Sequence, residues 1–186
     1  MANRDIVRSM MKRPAIALAL FFFGTIPLFA QQTTTSEFGL MIGGSKRQSG
    51  GDDLTKNFSF NNTVKEVYYA VQLEPDTRFK IKAGEMETPV ADGGSGHERV
   101  QHVAGIIDYR FSESFGETGL FAGAGMYRQK RADGNDATDY GFQGGINGDF
   151  PLTRRFGIVV EGTYHWVHFE RTATFITATA GLRISF

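Results

Sequence analysis

The sequence predicts an all-β chain: an eight-stranded antiparallel up-and-down transmembrane β-barrel after a cleaved N-terminal signal peptide. Three observations predict it. Residues 1–30 have the layout of a secretory leader. The remainder divides into eight stretches in which apolar and polar side chains alternate. Aromatic residues gather at the two ends of those stretches, as in the girdles of a bilayer-embedded barrel.

The leader comes first. Lys12 and Arg13 precede an apolar run from Ala15 to Phe29, and Ala30 stands before two glutamines. The run is short for a spanning helix, which needs about 20 apolar residues, and it contains Pro27. We expect cleavage after Ala30, leaving residues 31–186 as one outer-membrane β-barrel domain. The leader holds Arg4, Arg8, Lys12, Arg13 and Asp5, so the 20 basic and 20 acidic residues fall to 16 and 19, a net charge of −3. That balance argues against nucleic acid as a partner. The chain has no cysteine, so an exported domain of this size must draw its stability from a closed sheet or a large core rather than from disulfides.

The alternating stretches run Glu37–Lys46, Glu66–Glu74, Arg78–Glu87, Val100–Phe111, Thr118–Lys130, Asp139–Phe150, Phe156–Phe169 and Phe175–Phe186. Strands of about 9–11 residues cross a bilayer when tilted. The second, fourth and sixth links, at Pro75–Thr77, Ser112–Glu117 and Pro151–Arg155, are compact. The first link, Arg47–Lys65, is long, the third and fifth are glycine-rich or polar, and the seventh is short. Short turns at one end and mostly longer loops at the other, with an even strand count, place both termini at the short-turn end.

Each stretch has one apolar face and one charged face. In the seventh, Phe156, Ile158, Val160, Tyr164 and Trp166 oppose Val159, Glu161, Thr163 and His165. In the fourth, Val103, Ile107, Tyr109 and Phe111 oppose His102, Asp108 and Arg110. A soluble ligand-binding barrel would turn the apolar face inward, and a membrane barrel turns it outward. The aromatic positions favour the membrane. Phe38, Phe79, Phe111, Phe121, Phe150, Phe156 and Phe186 mark one end, and Tyr69, Tyr127, Tyr140, Tyr164 and Trp166 the other. In the fifth stretch, GLFAGAGMYRQK, both faces are small or apolar. Matching the girdles turns Phe121 and Tyr127 outward there, and Arg128 and Lys130 inward.

The last stretch, ITATAGLRISF, alternates to the final residue. With the features above, it makes the chain resemble the small eight-stranded outer-membrane proteins of the OmpA/OmpX barrel type, the outer membrane protein beta-barrel domain family. The resemblance covers the leader and essentially all of residues 31–186. It implies residence in a bacterial outer membrane with periplasmic termini, among outer-membrane lipid and lipopolysaccharide. It also implies insertion by the barrel-assembly machinery, whose signal Ala180, Leu182, Ile184 and Phe186 match.

An eight-stranded lumen is just wide enough for side chains to fill. The inward charges are Glu37, Glu74, Lys80, Lys82, Asp108, Arg110, Arg128, Glu161 and Arg183. Buried charges need partners. Aligning the strands at the Phe end pairs Lys82 with Asp108, and Arg183 with Glu161 and Glu37. The expected result is either a salt-bridged plug rather than an open channel, or inward charges that merely solvate small internal waters.

Signals for chemistry are thin. His97, His102, His165 and His168 include two beside Glu170, yet no serine lies near that pair in sequence. The spacing of the acidic residues in Asp133–Asp139 resembles that of a calcium loop, but Ala137 falls at a ligand position. The glycine clusters GLFAGAG and GFQGGING do not precede a helix and so lack a phosphate-cradling form. No cofactor and no metal are expected. The expected role is non-enzymatic: structure, adhesion or surface interaction through the extracellular loops, above all Gly50–Asp53 and Asp133–Asp139, with the surface ligand unspecified. Two alternatives stay open, a narrow channel for small solutes and a lipid-modifying enzyme.

Overall fold

The computed structural model describes residues 35–48, 59–89, 97–113, 116–130, 136–169 and 172–186. The expected leader, Gly50–Asp53 and Asp133–Asn135 lie outside these residues. The strands are β1 (Ser36–Gln48), β2 (Ser59–Glu74), β3 (Thr77–Pro89), β4 (His97–Glu113), β5 (Gly116–Lys130), β6 (Ala137–Pro151), β7 (Phe156–Val167) and β8 (Ala173–Ser185). Each pairs antiparallel with its neighbours in sequence, and β8 returns to β1, so no edge is left unpaired. Closure continues to the last residue: Ser36 N–H donates to Phe186 O at 3.0 Å, and Phe186 N–H to Ser36 O at 2.9 Å.

Several strands outrun the alternating stretches at the loop end, while β7 stops at Val167, two residues short of its stretch. β2 begins at Ser59 rather than Glu66, so Ser59–Lys65 belongs to the sheet and not to the first link. Asn61 and Asn62 are poor strand formers by composition, but pairing and packing override that preference. The Asn62 side-chain amide donates to Ser45 O at 3.1 Å, where the β1–β2 register breaks between Gly44 and Ser45. Likewise His97 and Glu98 open β4, and Ala173 and Thr174 open β8.

The register sets the tilt. Cross-strand partners followed from Leu40 through Val67, Ala83, Val103 and Met126 lead to Tyr140 on β6. Followed the other way, through Leu182 and Ile158, they lead to Phe150. One lap therefore displaces the chain by 150 − 140 = 10 residues along β6. A barrel closes with such a stagger only if its strands are tilted to the axis. Residues paired across the wall are thus not at equal height.

Candidate functional site

The outer surface is apolar. Phe38, Phe111, Phe150, Phe156 and Phe186 are exposed towards the turn end, and Tyr140, Tyr164 and Trp166 nearer the loop end, with Leu40, Ile107, Ile146, Ile158 and Leu182 between. Tyr69, expected at the loop end, is instead at the turn end: it pairs with Phe38 across β1 and β2, and its hydroxyl donates to Ser36 Oγ at 3.0 Å. Phe79 is half-buried on the same face. Ala180, Leu182, Ile184 and Phe186 also point outward on β8, alternating with the buried Thr179, Arg183 and Ser185.

β5 is reversed from the expected orientation. Phe121 is 5% exposed and Tyr127 0%, and both lie in the lumen. Leu120 and Met126 take the outer face, together with Arg128 and Lys130, which therefore do not enter the lumen. The polar ends of the lumen decide this. The Lys80 and Lys82 ammoniums sit 5.6 and 5.2 Å from the Phe121 ring centroid. The Tyr127 hydroxyl is 3.0 Å from His165 Nδ1. On the outer face neither ring would find these partners.

The lumen is filled in successive levels. Nearest the turns is a guanidinium–carboxylate network. Arg78 Nη1 donates to Glu37 Oε2 and Nη2 to Glu117 Oε2, both at 2.5 Å. Arg110 Nη1 reaches Glu117 at 2.8 Å and Asp149 at 2.7 Å. Arg183 Nε donates to Asp149 Oδ2 at 2.6 Å, and its Nη1 to Ser185 Oγ at 2.6 Å. Arg183 therefore pairs with Asp149, with Glu37 at 3.9 Å, and not with Glu161.

The middle level centres on Glu161. Lys80 Nζ donates to Oε1 at 2.6 Å, and Lys82 Nζ to Oε2. Lys80 also lies 3.6 Å from Asp108, and Lys82 3.6 Å from Glu66. The expected Lys82–Asp108 pair is replaced by Lys80–Asp108, because the register sets Asp108 beside Arg78, four residues from Lys82. The main partner of both lysines is on β7, across the lumen rather than along the wall. Asn147 Nδ2 donates to Asp108 Oδ1 at 2.8 Å. Lys80 also lies 4.8 Å from the Tyr68 ring centroid, and that ring occupies the space a Cβ on Gly39 would need. Glycine at residue 39 is thus what admits the tyrosine.

Towards the loops the lumen turns aromatic and then apolar. His102 Nε2 is 3.5 Å from Glu66 Oε1, and its ring stacks on Tyr127 with centroids 5.5 Å apart. His165 Nε2 lies 3.2 Å from Thr177 Oγ1. Gln143 and Thr163, also inward, have side-chain atoms without a hydrogen-bond partner in the protein, as do Glu66 and His102 despite their ion-pair contacts, which makes this the level suited to internal water. Above it Val64, Met86, Val100, Val167, Phe169, Ala173 and Phe175 pack with Tyr127 into a buried apolar cluster.

Among the expected lumen charges, Glu37, Lys80, Lys82, Asp108, Arg110, Glu161 and Arg183 converge inside, while Glu74 is exposed at the β2–β3 turn. Arg78, Glu117 and Asp149 complete the network and were not in the expected set. Arg78 shares a face with Lys80 and Lys82, so strict alternation through RFKIK identifies it. The apolar cap has no comparable signal, because Val64, Met86 and Val100 alternate with charges just as lipid-facing residues do.

For chemistry, both ring nitrogens of His165 are engaged by Tyr127 and Thr177, and His168 is on the outer face, stacked on Tyr140 with centroids 5.3 Å apart. Among the described residues no group of three or more His, Asp and Glu side chains is placed to hold a metal ion.

No protein-family model matches the chain, and no curated protein sequence matches it. Solved structures do. Neisserial surface protein A (NspA) superposes with a TM-score of 0.62 over 82% of this chain and 97% of its own, at 12% identity. Ail, the attachment invasion locus protein of Yersinia pestis, superposes with a TM-score of 0.52 over 82% and 98%, at 14% identity. The chain therefore has the fold of the small eight-stranded outer-membrane barrels.

Proposed function

We propose that this chain is an integral protein of a bacterial outer membrane, with a plugged barrel that serves as an anchor and a non-catalytic role at its loop end. The observation that carries the reading is the radial inversion of polarity. Ion pairs and buried lysines fill the inside, while Leu40, Ile42, Leu120, Ile146 and Leu182 are each more than half exposed on the outside. In water that outer wall would be an aggregation surface, and in hydrocarbon it is ordinary. The short turns and both ends of the described barrel then face the periplasm, and β8 carries the assembly signal ending at Phe186. Ail is by name an attachment and invasion protein. A surface-interaction role of that general kind, together with contact to lipopolysaccharide, fits a barrel whose lumen is occupied.

The test is insertion followed by conductance. Refolded protein should migrate differently before and after boiling, and should give no current steps in a planar bilayer. Failure to insert would remove the membrane reading. Discrete current steps would replace the plug with a channel for small solutes. Altered lipid masses in expressing cells would establish the enzyme reading instead.

A further inference from the structure

Below the apolar cap, five described cations face six described carboxylates. Arg78, Lys80, Lys82, Arg110 and Arg183 stand against Glu37, Glu66, Asp108, Glu117, Asp149 and Glu161. With His102 and His165 neutral, one negative charge is in excess. The hydrogen bonds locate it. Glu37, Asp108, Glu117, Asp149 and Glu161 each accept from a charged side chain. Glu66 does not: it is 4% exposed, and neither of its oxygens has a hydrogen-bond partner. Lys82 Nζ stays 3.6 Å from it and gives its hydrogen bond to Glu161. Glu117 is half-exposed at the turn end and is met by both Arg78 and Arg110, so solvent there does nothing for Glu66.

The surroundings of Glu66 leave room for a ligand. Gly84 on β3 stands between Glu66 and His102. A Cβ there would come within 2.8 Å of both side chains, so the glycine lets carboxylate and imidazole face one space. Glu66 Oε1 and His102 Nε2 are 3.5 Å apart and neither is hydrogen-bonded. Across the lumen the His165 ring lies 5.5 Å from His102, centroid to centroid. Gln143 is the cross-strand partner of His165, and Thr163 is the next inward residue on β7. Both are more than nine-tenths buried, and the Gln143 amide and the Thr163 hydroxyl also lack partners.

Water supplies hydrogen bonds in such a layer but no charge. A buried carboxylate needs a counter-charge, and a single excess charge calls for a monovalent one. A divalent ion would want several anionic ligands, whereas here the second oxygen of Glu66 already faces an ammonium.

We propose that the lumen encloses one dehydrated monovalent metal cation of the potassium class, held by Glu66 Oε1 and His102 Nε2 on one side and by Gln143 Oε1 and Thr163 Oγ1 on the other. The apolar cap closes the layer above, and the Lys80–Glu161–Lys82 ion pairs close it below. The ion is therefore taken up as the barrel folds, and it leaves slowly. The site is internal and does not depend on what surrounds the wall.

The experiment refolds the full chain in a non-ionic detergent with rubidium chloride, standing in for potassium, or with choline chloride at the same ionic strength. Choline is too large for the layer. The readouts are rubidium retained per barrel after rapid desalting and the melting midpoint of the β-sheet circular dichroism. Wild type should retain one rubidium ion and melt roughly 5 °C higher in rubidium than in choline. Glu66→Gln keeps the shape and removes the excess charge, so it should retain none and melt alike in both salts. Q143L/T163V keeps the charge and should lose at least half of the rubidium-dependent rise. Glu74→Gln removes an exposed carboxylate at the β2–β3 turn and should behave as wild type. Equal midpoints with no retained ion in wild type overturn the site, even if Glu66→Gln fails to fold. Retention that survives Glu66→Gln marks an adventitious ion only and overturns it as well. A rise untouched by Q143L/T163V overturns the assignment of the two neutral ligands.

Discussion

The two halves of the lumen close the same tube by different physics. At the turn end, three arginines and two lysines are held against carboxylates from β1, β2, β4, β5, β6 and β7. At the loop end a cluster of Val, Met and Phe side chains closes it by packing. An ionic plug depends on every partner being present, because each charge was desolvated on burial and its main compensation is the opposite charge. An apolar cap loses stability in proportion to the volume removed and leaves nothing unpaired. The first therefore specifies which strands must face which, and the second mainly excludes water.

The largest separation between the halves should come from Glu161→Leu. It strands two fully buried ammoniums, and a loss of about 3–5 kcal/mol is expected in denaturant unfolding of the bilayer-inserted protein. Replacing the rest of that cluster as well, in E161L/K80M/K82M/E66L, should recover most of that loss, since a buried ion cluster exchanged whole for apolar side chains is close to neutral and Asp108 keeps Arg110 and Asn147. A quadruple variant no more stable than E161L would show that packing around Glu161, not charge, holds the level together. In the cap, Phe175→Ala should cost about 3 kcal/mol with no rescue by any charge change, and the lumen should stay non-conducting because the ionic floor is intact. Current through that variant would mean that the cap is the actual seal. The smallest effect should be at the junction. Tyr127→Phe removes one hydrogen bond to His165 and keeps the ring, and about 1 kcal/mol is expected, read as a shift in the same unfolding midpoint.

Legibility followed the range of the interaction. Side-chain direction along a strand is set by the neighbouring residues, so Phe156, Ile158 and Val160 could be placed opposite Val159 and Glu161 by counting in twos, and the structure has them so. The same counting failed on β5 because it needs contrast between faces. With Gly119, Ala122, Gly123, Ala124 and Gly125 on the two sides, there is almost none. What placed Phe121 inward was the pair of ammoniums from β3, tens of residues away. The ion pairs missed for a related reason. That the inward charges meet in the lumen was readable, but Lys82 reaches over the lumen to Glu161, and Arg183 meets Asp149 rather than Glu161. Neither follows from aligning strands at their Phe residues, because a lap of the barrel is staggered by 10 residues along β6.

By itself, then, the sequence determined the strand number and order, the hairpin rhythm, and the outward face of every strand but β5, because alternation and turn chemistry are local. Only the tertiary structure decided which charge meets which, which way β5 faces, and that the lumen is capped by apolar side chains. Those are distances across a closed tube, set by the register of all the strands together.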